Sequence, residues 1–290
     1  MKKTIALIFL AGALLVSCTP KKENTASAAK YPGSDKDKNT IAVVQSNFPE
    51  VKVVKNLKNS GYGAGNNLGV SHANGEYVVF LNPDTIVHND WLFSLLSPLE
   101  KKDHLITTPK ILTYDGQQIN TCGNINHFTG LNFTRGLGRD PSHYQDTWEV
   151  SGVSGACFAM KKKDFLDIGS FDEHFFLYNE DSDLSWRAHF FNYTILCVPQ
   201  SLVRHMYRLN VTPEKLYLLE TGRYMILRKY YSLRDIFLIS PSLLLAEVLT
   251  LGYALRLGRR GLMAKMRALR DGFQKDLETF QYGRKRIVSH

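Results

Sequence analysis

Two acidic positions in this sequence sit where carboxylates do chemistry. Asp84 falls in Asn82-Pro83-Asp84-Thr85, directly after the apolar run Tyr77-Val78-Val79-Phe80-Leu81. Ligands of open α/β sheets bind at the C-terminal ends of strands, and a carboxylate there can hold a hard divalent cation against a diphosphate. The same residues also suit an Asx-type turn capping a helix over Trp91 to Leu99. The second position lies between Gly169 and Arg187, GSFDEHFFLYNEDSDLSWR, where five carboxylates stand among large aromatics. Clustered acids repel one another. Burial beside aromatics raises a carboxylate's pKa toward a value useful for taking a proton from a hydroxyl. A helix starting near Glu180 sets Asp183 and Arg187 at i and i+4 as a structural pair, leaving Glu180 and Asp181 for chemistry. An acid-rich helix N-terminus, favoured by the helix dipole, is the competing reading.

The elements that would position these groups follow from pattern. Ile41 to Val44 reads as the end of a helix, and the β-branched run Val51 to Val54 reads as a strand. Asn59 to Asn67, NSGYGAGNN, packs three glycines and three asparagines into an expected loop that enters a helix over Leu68 to Asn74. Such a loop lets backbone approach a ligand closely, although it fits neither the phosphate-loop nor the dinucleotide pattern. Gly75-Glu76 turns into the buried strand ending at Asn82, and Thr194 to Val198 forms another strand.

The chain has 290 residues with 44% hydrophobic content, enough for a sizeable core without staples. Cys18, Cys122, Cys157 and Cys197 lack CxxC spacing, which argues against a disulfide framework or a zinc knuckle. The formal charge is +9, but from Ser201 onward there are 17 Lys and Arg against 7 Asp and Glu, and residues 1–200 hold 19 against 20. Nucleic-acid binders spread cations over the binding face. A neutral body with a basic, partly apolar tail reads instead as a protein of the membrane surface, with no nucleic-acid partner.

Lys2 and Lys3 precede the apolar stretch Thr4 to Val16, and Leu15-Val16-Ser17-Cys18 follows the pattern of a bacterial lipobox, with Cys18 as the lipidated residue. About 13 apolar residues are too few to cross a bilayer easily. Thr19 to Lys38 is poor in apolar residues and reads as a linker. The expected organisation is a signal over residues 1–18, a linker over 19–38, a folded domain over 39–210 and a helical, basic tail over 211–290.

The ordered motifs NSGYGAGNNLGV, GEYVVFLNPDT, VSGACF, GSFDEHFFLYNEDSDLSWR and VPQSLVRH resemble bacterial family 2 glycosyltransferases, particularly rhamnosyltransferase-like members. The resemblance covers roughly Ser34 to the C-terminus. It implies an α/β fold of the GT-A type, a mostly parallel sheet flanked by helices, and an inverting transfer of a sugar from a nucleotide donor to an acceptor hydroxyl. It places Asn82 and Asp84 at the family's Asp-x-Asp position, with Asp84 binding a divalent metal, Mg or Mn, that bridges the donor diphosphate. Asp181 becomes the base, Glu180 shapes the acceptor side and His205 helps hold the metal. Asn66 and Asn67 lie near the nucleotide, and Gly155 lets backbone approach the donor sugar. The implied partners are a dTDP- or UDP-sugar and a glycan or polyprenyl-linked acceptor of cell-surface polysaccharide synthesis.

The family's first strand and helix have no counterpart here. The leader and linker stand in their place, and only Gly33-Ser34-Asp35-Lys36-Asp37 echoes the end of the next motif. Nucleotide sugars imply the cytoplasmic face of the inner membrane, whereas a lipobox exports its protein. A catalytically inactive glycan-binding lipoprotein and a truncated, non-functional transferase are therefore the alternatives to the enzyme. In the tail, Ile236 to Leu257 is mostly apolar and is followed by a run of cations, consistent with helices lying in a membrane interface or with a buried helix followed by a solvated one.

Overall fold

A computed structural model describes residues 5–9, 14–18, 40–56, 58–206 and 210–274. The elements in chain order begin with β1 Ile5–Phe9, β2 Leu14–Cys18, α1 Thr40–Asn47, α2 Tyr62–His72, β3 Tyr77–Leu81, β4 Thr85–Val87 and α3 Trp91–Lys101. β5 Leu105–Thr113, β6 Ile119–Thr121, β7 Asn124–Asn126, β8 Asn132–Thr134, β9 Trp148–Glu149, β10 Cys157–Lys161 and α4 Lys162–Asp167 follow. The chain continues through α5 Glu180–Phe190, β11 Thr194–His205, α6 Pro213–Tyr230, α7 Leu233–Leu238, α8 Ser240–Arg256 and α9 Gly258–Gln274.

The main sheet runs β2-β1-β3-β10-β5-β11-β4. It is mixed, which corrects the expectation of a mostly parallel sheet: β10 is antiparallel to both β3 and β5, while β1 and β3, and β5 and β11, pair in parallel. The antiparallel insertion has a positional consequence. Cys157 at the start of β10 pairs with Leu81 at the end of β3, so the loop entering β10 lies at the strand end that carries Asn82.

Every residue of β3 is buried, because both faces of the sheet are covered. Val78 and Phe80 point to one core with Phe158, Phe165, Phe171 and Leu184. Tyr77, Val79 and Leu81 point to the other, against Leu95 and Leu99 of α3. Phe80 stacks on Phe158 at 4.4 Å between ring centroids and meets Phe171 edge-on at 5.2 Å, which ties the strand to the segment leading into α5.

Several local expectations change. Val51 to Val54 is not a strand, and the glycine-rich segment is helical from Tyr62 rather than a loop as far as Asn67. Gly61 makes that early start feasible: its φ is 91°, and a Cβ there would sit 2.1 Å from the carbonyl oxygen of Phe176. The leader reaches the sheet. Ile5–Phe9 pairs in parallel with Tyr77–Leu81, and Leu14–Cys18 pairs with β1, so the sheet position expected to be empty is filled. A short apolar run has the composition of a strand as much as of a signal core, and the edge of β3 is where this one pairs. Lys2 and Lys3, the 19–38 linker with Gly33 to Asp37, and the end of the basic tail lie outside the described residues.

Candidate functional site

The first half of the site is a pair of side chains brought together by strand pairing. β4 follows Asp84 directly and lies antiparallel to the end of β11, with His205 opposite Thr85. The backbone closes the pair further, since Met206 N–H donates to the Asp84 carbonyl. His205 Nε2 stands 3.2 Å from Asp84 Oδ1. Burial would raise the Asp84 pKa, but the hydrogen bond and charge of His205 outweigh it and hold the carboxyl below its usual range. Asp84 therefore does not act as the Asx cap of α3, a helix preceded instead by Asp90.

A carboxylate oxygen and an imidazole nitrogen suit a Mg²⁺- or Mn²⁺-class ion. Their spacing is close to the ~3 Å edge between neighbouring ligands of one octahedral ion with bonds near 2.1 Å. Among the described residues no group of three or more His, Cys, Asp or Glu gathers around one point. These two residues alone would supply only part of the coordination shell of such an ion.

The second half is the acidic segment, and the structure sorts its five carboxylates. Asp172 and Asp183 share Lys229, at 2.6 and 2.8 Å, and Asp183 also pairs with Arg187 at 2.9 Å. Glu173 accepts from the Asn67 amide. Glu180 and Asp181 remain outside these ion pairs, at the start of α5. Asp181 Oδ2 accepts the Gly155 N–H at 2.8 Å, and Oδ1 accepts the Ser182 N–H at 2.8 Å. These bonds fix the carboxylate plane and lower its pKa, yet burial prevails and the group titrates above an ordinary aspartate. Glu180 is 5% exposed, its Oε2 has no hydrogen-bond partner, and burial together with the Asp181 charge pushes it far above the carboxylate range.

The two halves meet on one loop. Asn82 N–H donates to the Ala156 carbonyl at 2.9 Å, and the neighbouring Gly155 holds Asp181. The segment leading to Asp84 and the Asp181 carboxylate are thus tied to the adjacent residues Ala156 and Gly155.

The other expected residues make the following contacts. The Asn66 side chain donates to the Tyr62 carbonyl inside α2 and is buried. Asn67 bonds both the N–H and the carbonyl of Phe171, clamping the segment that leads to the dyad. Both amides are thus occupied in building the scaffold. Gly155 places its N–H on Asp181, and a Cβ there would lie 3.2 Å from Oδ2.

The sequence reading missed contributors at three places. Tyr62 donates its hydroxyl to the Gly155 carbonyl, and burial plus the charges of Glu180 and Asp181 keep its phenol protonated. Tyr178 and Asn179 both adopt left-handed backbone, at φ of 67° and 66°, turning the chain into α5. The Asn179 amide donates to the Leu219 carbonyl in α6, where a Cβ on Gly222 would stand 2.8 Å from the Asn179 Cβ. Asn before a helix is a legible signal for left-handed backbone, but its partner on α6 is not. The third is Asn132 of β8, whose amide donates to the Ser182 hydroxyl and attaches the β7–β8 hairpin to the dyad.

A mixed sheet covered on both faces by helices, with the Asp84–His205 pair just beyond the end of β3, is an α/β scaffold of the GT-A type. The comparisons agree. Residues 33–169 match the model of Glycosyl transferase family 2. N-acetylgalactosaminyltransferase 7 of Drosophila melanogaster is 28% identical over 173 residues, covering 54% of this chain and 29% of that protein. Rhamnosyltransferase WbbL of Escherichia coli is 27% identical over 143 residues, covering 44% of this chain and 53% of that protein. The crystal structure of GalNAc-T7 with UDP, GalNAc and Mn²⁺ superposes with a TM-score of 0.56 at 16% identity, over 89% of this chain and 49% of that one. The chain thus spans about half or less of the length of these proteins.

Proposed function

We propose that this chain transfers a sugar, with inversion, from a nucleotide-diphosphate donor to a hydroxyl of a glycan or lipid-linked acceptor. The observation that carries the reading is Asp181, held by two backbone N–H groups in a partly buried site and raised in pKa, one loop away from Asp84 and His205. The acceptor O–H gives its proton to the Asp181 carboxylate as its oxygen attacks the anomeric carbon, and the bond from that carbon to the phosphate oxygen breaks on the opposite side. The nucleoside diphosphate leaves with the bonding electron pair, and Asp181 returns its proton to solvent. Asp84 and His205 would hold the divalent ion, which supplies charge neutralisation of the diphosphate. Burial and the Asp181 charge raise the Glu180 pKa, which disfavours a second negative charge beside the base.

The donor class proposed is a UDP- or dTDP-sugar; the Escherichia coli relative bears the name rhamnosyltransferase, and GalNAc-T7, which shares the fold, is seen with UDP and Mn²⁺. On the acceptor side, the β7–β8 hairpin presents Phe128 and Phe133, 42% and 50% exposed, around His127. Such a shelf suits the apolar face of an acceptor sugar ring, and the Asn132 to Ser182 bond joins it to the dyad. Calorimetric titration with UDP, dTDP and GDP, each with and without manganese, tests the donor site. Manganese-dependent binding of UDP or dTDP is the expected result, and a cooperatively folded sample that binds none of the three overturns it.

A further inference from the structure

Helix α8 is built inside out. Its inward face carries Ala246, Glu247, Thr250 and Ala254, small and polar groups, whereas Leu244, Leu245, Val248, Leu249 and Leu255 stand outward at 57% to 66% exposure. The inversion is locked by charge. Glu247 pairs with Arg223 of α6 and Lys265 of α9, its Oε2 also accepts from the Tyr224 hydroxyl, and buried Glu220 pairs with the same two cations. Rotating α8 to bury its leucines would leave buried Arg223 and Lys265 short of a counter-charge.

Helix α9 repeats the pattern. Gly261, Ala264, Lys265, Ala268 and Gly272 face inward, and a Cβ on Gly261 would lie 2.3 Å from the Ala254 carbonyl oxygen, so the helices touch backbone to backbone. Met263, Met266 and Phe273 are 54% to 59% exposed. Leu233 and Phe237 of α7 extend the apolar surface at 90% and 78%. Arg234, Arg256, Arg259 and Arg260 are exposed on these same helices. The acids of α8 and α9, Glu247 and Asp271, both have partners: Asp271 accepts from the Tyr217 hydroxyl and pairs with Arg270. Among the described residues no helix is long and apolar enough to cross a membrane.

We propose that α7, α8 and α9 form a docking face that lies in the surface of an anionic bilayer, with the outward leucines of α8 in the acyl boundary and the arginines at the phosphates. Apolar area and cations add in such binding, each Lys or Arg near an anionic surface strengthening it several-fold. The charge decides between lipid and a second copy of the chain. A two-fold dimer through this face would set like arginine clusters against one another, whereas anionic headgroups complement them. The face also bears on the site. α6 carries Gly222 against Asn179 beside the dyad and Tyr224 against α9, so a single helix layer, about 10 Å, separates the dyad loop from the docking helices.

The test uses the full chain made by cell-free synthesis without membranes, so that Cys18 bears no lipid. Sedimentation with phosphatidylcholine vesicles is compared with sedimentation with vesicles that also contain phosphatidylglycerol. The wild type is expected to pellet with the anionic vesicles, less so at high salt. Leu245→Asp with Leu249→Asp, or Arg259→Glu with Arg260→Glu, should each weaken that partition about tenfold or more with an unchanged melting temperature, since all four side chains are exposed. Wild type that remains in the supernatant, or variants that pellet as it does, would overturn the proposal. So would a stable dimer in vesicle-free solution that the leucine variants dissociate. The assay involves no sugar transfer, so its outcome is independent of the catalytic reading.

Discussion

Gly155 and Asp181, 26 residues apart, are joined by a 2.8 Å hydrogen bond from the glycine N–H to Oδ2. The bond makes the loop entering β10 the cradle of the proposed base. A Cβ at this position would stand 3.2 Å from Oδ2, so a larger residue requires the carboxylate to shift by a few tenths of an ångström. Asp181→Asn keeps an acceptor for that N–H but removes the basic oxygen. Transfer should fall about 10²- to 10⁴-fold while melting stays within about 1 kcal/mol of wild type. Wild-type turnover in this variant would exclude Asp181 as the base.

The pH dependence of transfer follows from burial. Burial raises Asp181, so its basic form is lost as pH falls through a value above the ordinary aspartate range near 4. The acid limb of kcat/KM should therefore lie above that value and vanish in Asp181→Asn. A rate that holds steady down to about pH 4 contradicts this.

Asp84 and His205 make a separate prediction about the ion. His205→Ala should raise the manganese concentration giving half-maximal transfer by about tenfold or more, and Asp84→Asn should do at least as much. Electron paramagnetic resonance of manganese with the nucleotide present reads the same loss without turnover. Unaltered manganese affinity in both variants would place the ion elsewhere.

Lys229 makes Asp172 a source of pH-dependent stability. Burial alone would raise Asp172, but the ammonium charge and hydrogen bonds from Lys229 and His174 bring it down to about 2. The folded pKa lies below the unfolded one, so the contribution is complete above about pH 4 and disappears as pH falls toward 2. The shift corresponds to about 2.5 kcal/mol. Asp172→Asn should cost about that much at neutral pH and flatten the loss of stability below pH 4, as read by urea melts across pH.

The leader strand gives a prediction that opposes its early removal. Omitting residues 1–18 takes away five parallel register pairs with Tyr77–Leu81 and opens the edge of a strand buried on both faces. The shortened chain should lose about 3–5 kcal/mol and tend to aggregate through that edge. A shortened chain that melts at the wild-type temperature would show that β1 contributes nothing.

What the sequence by itself determined is local. The strand ending at Asn82, the helix after Asp90, the helix from Glu180 and the Asp183–Arg187 pair all follow from period and spacing, because each depends on residues a few positions apart. The separation of Glu180 and Asp181 from the other acids was partly legible for the same reason. Tertiary structure alone decided the rest. Antiparallel insertion of β10 put Gly155 beside Asp181 and made the sheet mixed, and pairing of β4 with β11 put His205 against Asp84. The amides of Asn66 and Asn67 went to the scaffold because helix α2 began at Tyr62, a start permitted only where Gly61 meets Phe176. The leader's apolar run became a strand because β3 offered a partner. Helix α8 turned its leucines outward because the buried cations of α6 and α9 hold Glu247 inside. A hydrophobic pattern states that a face must be covered; which surface covers it is settled by pairing and charge between distant parts of the chain.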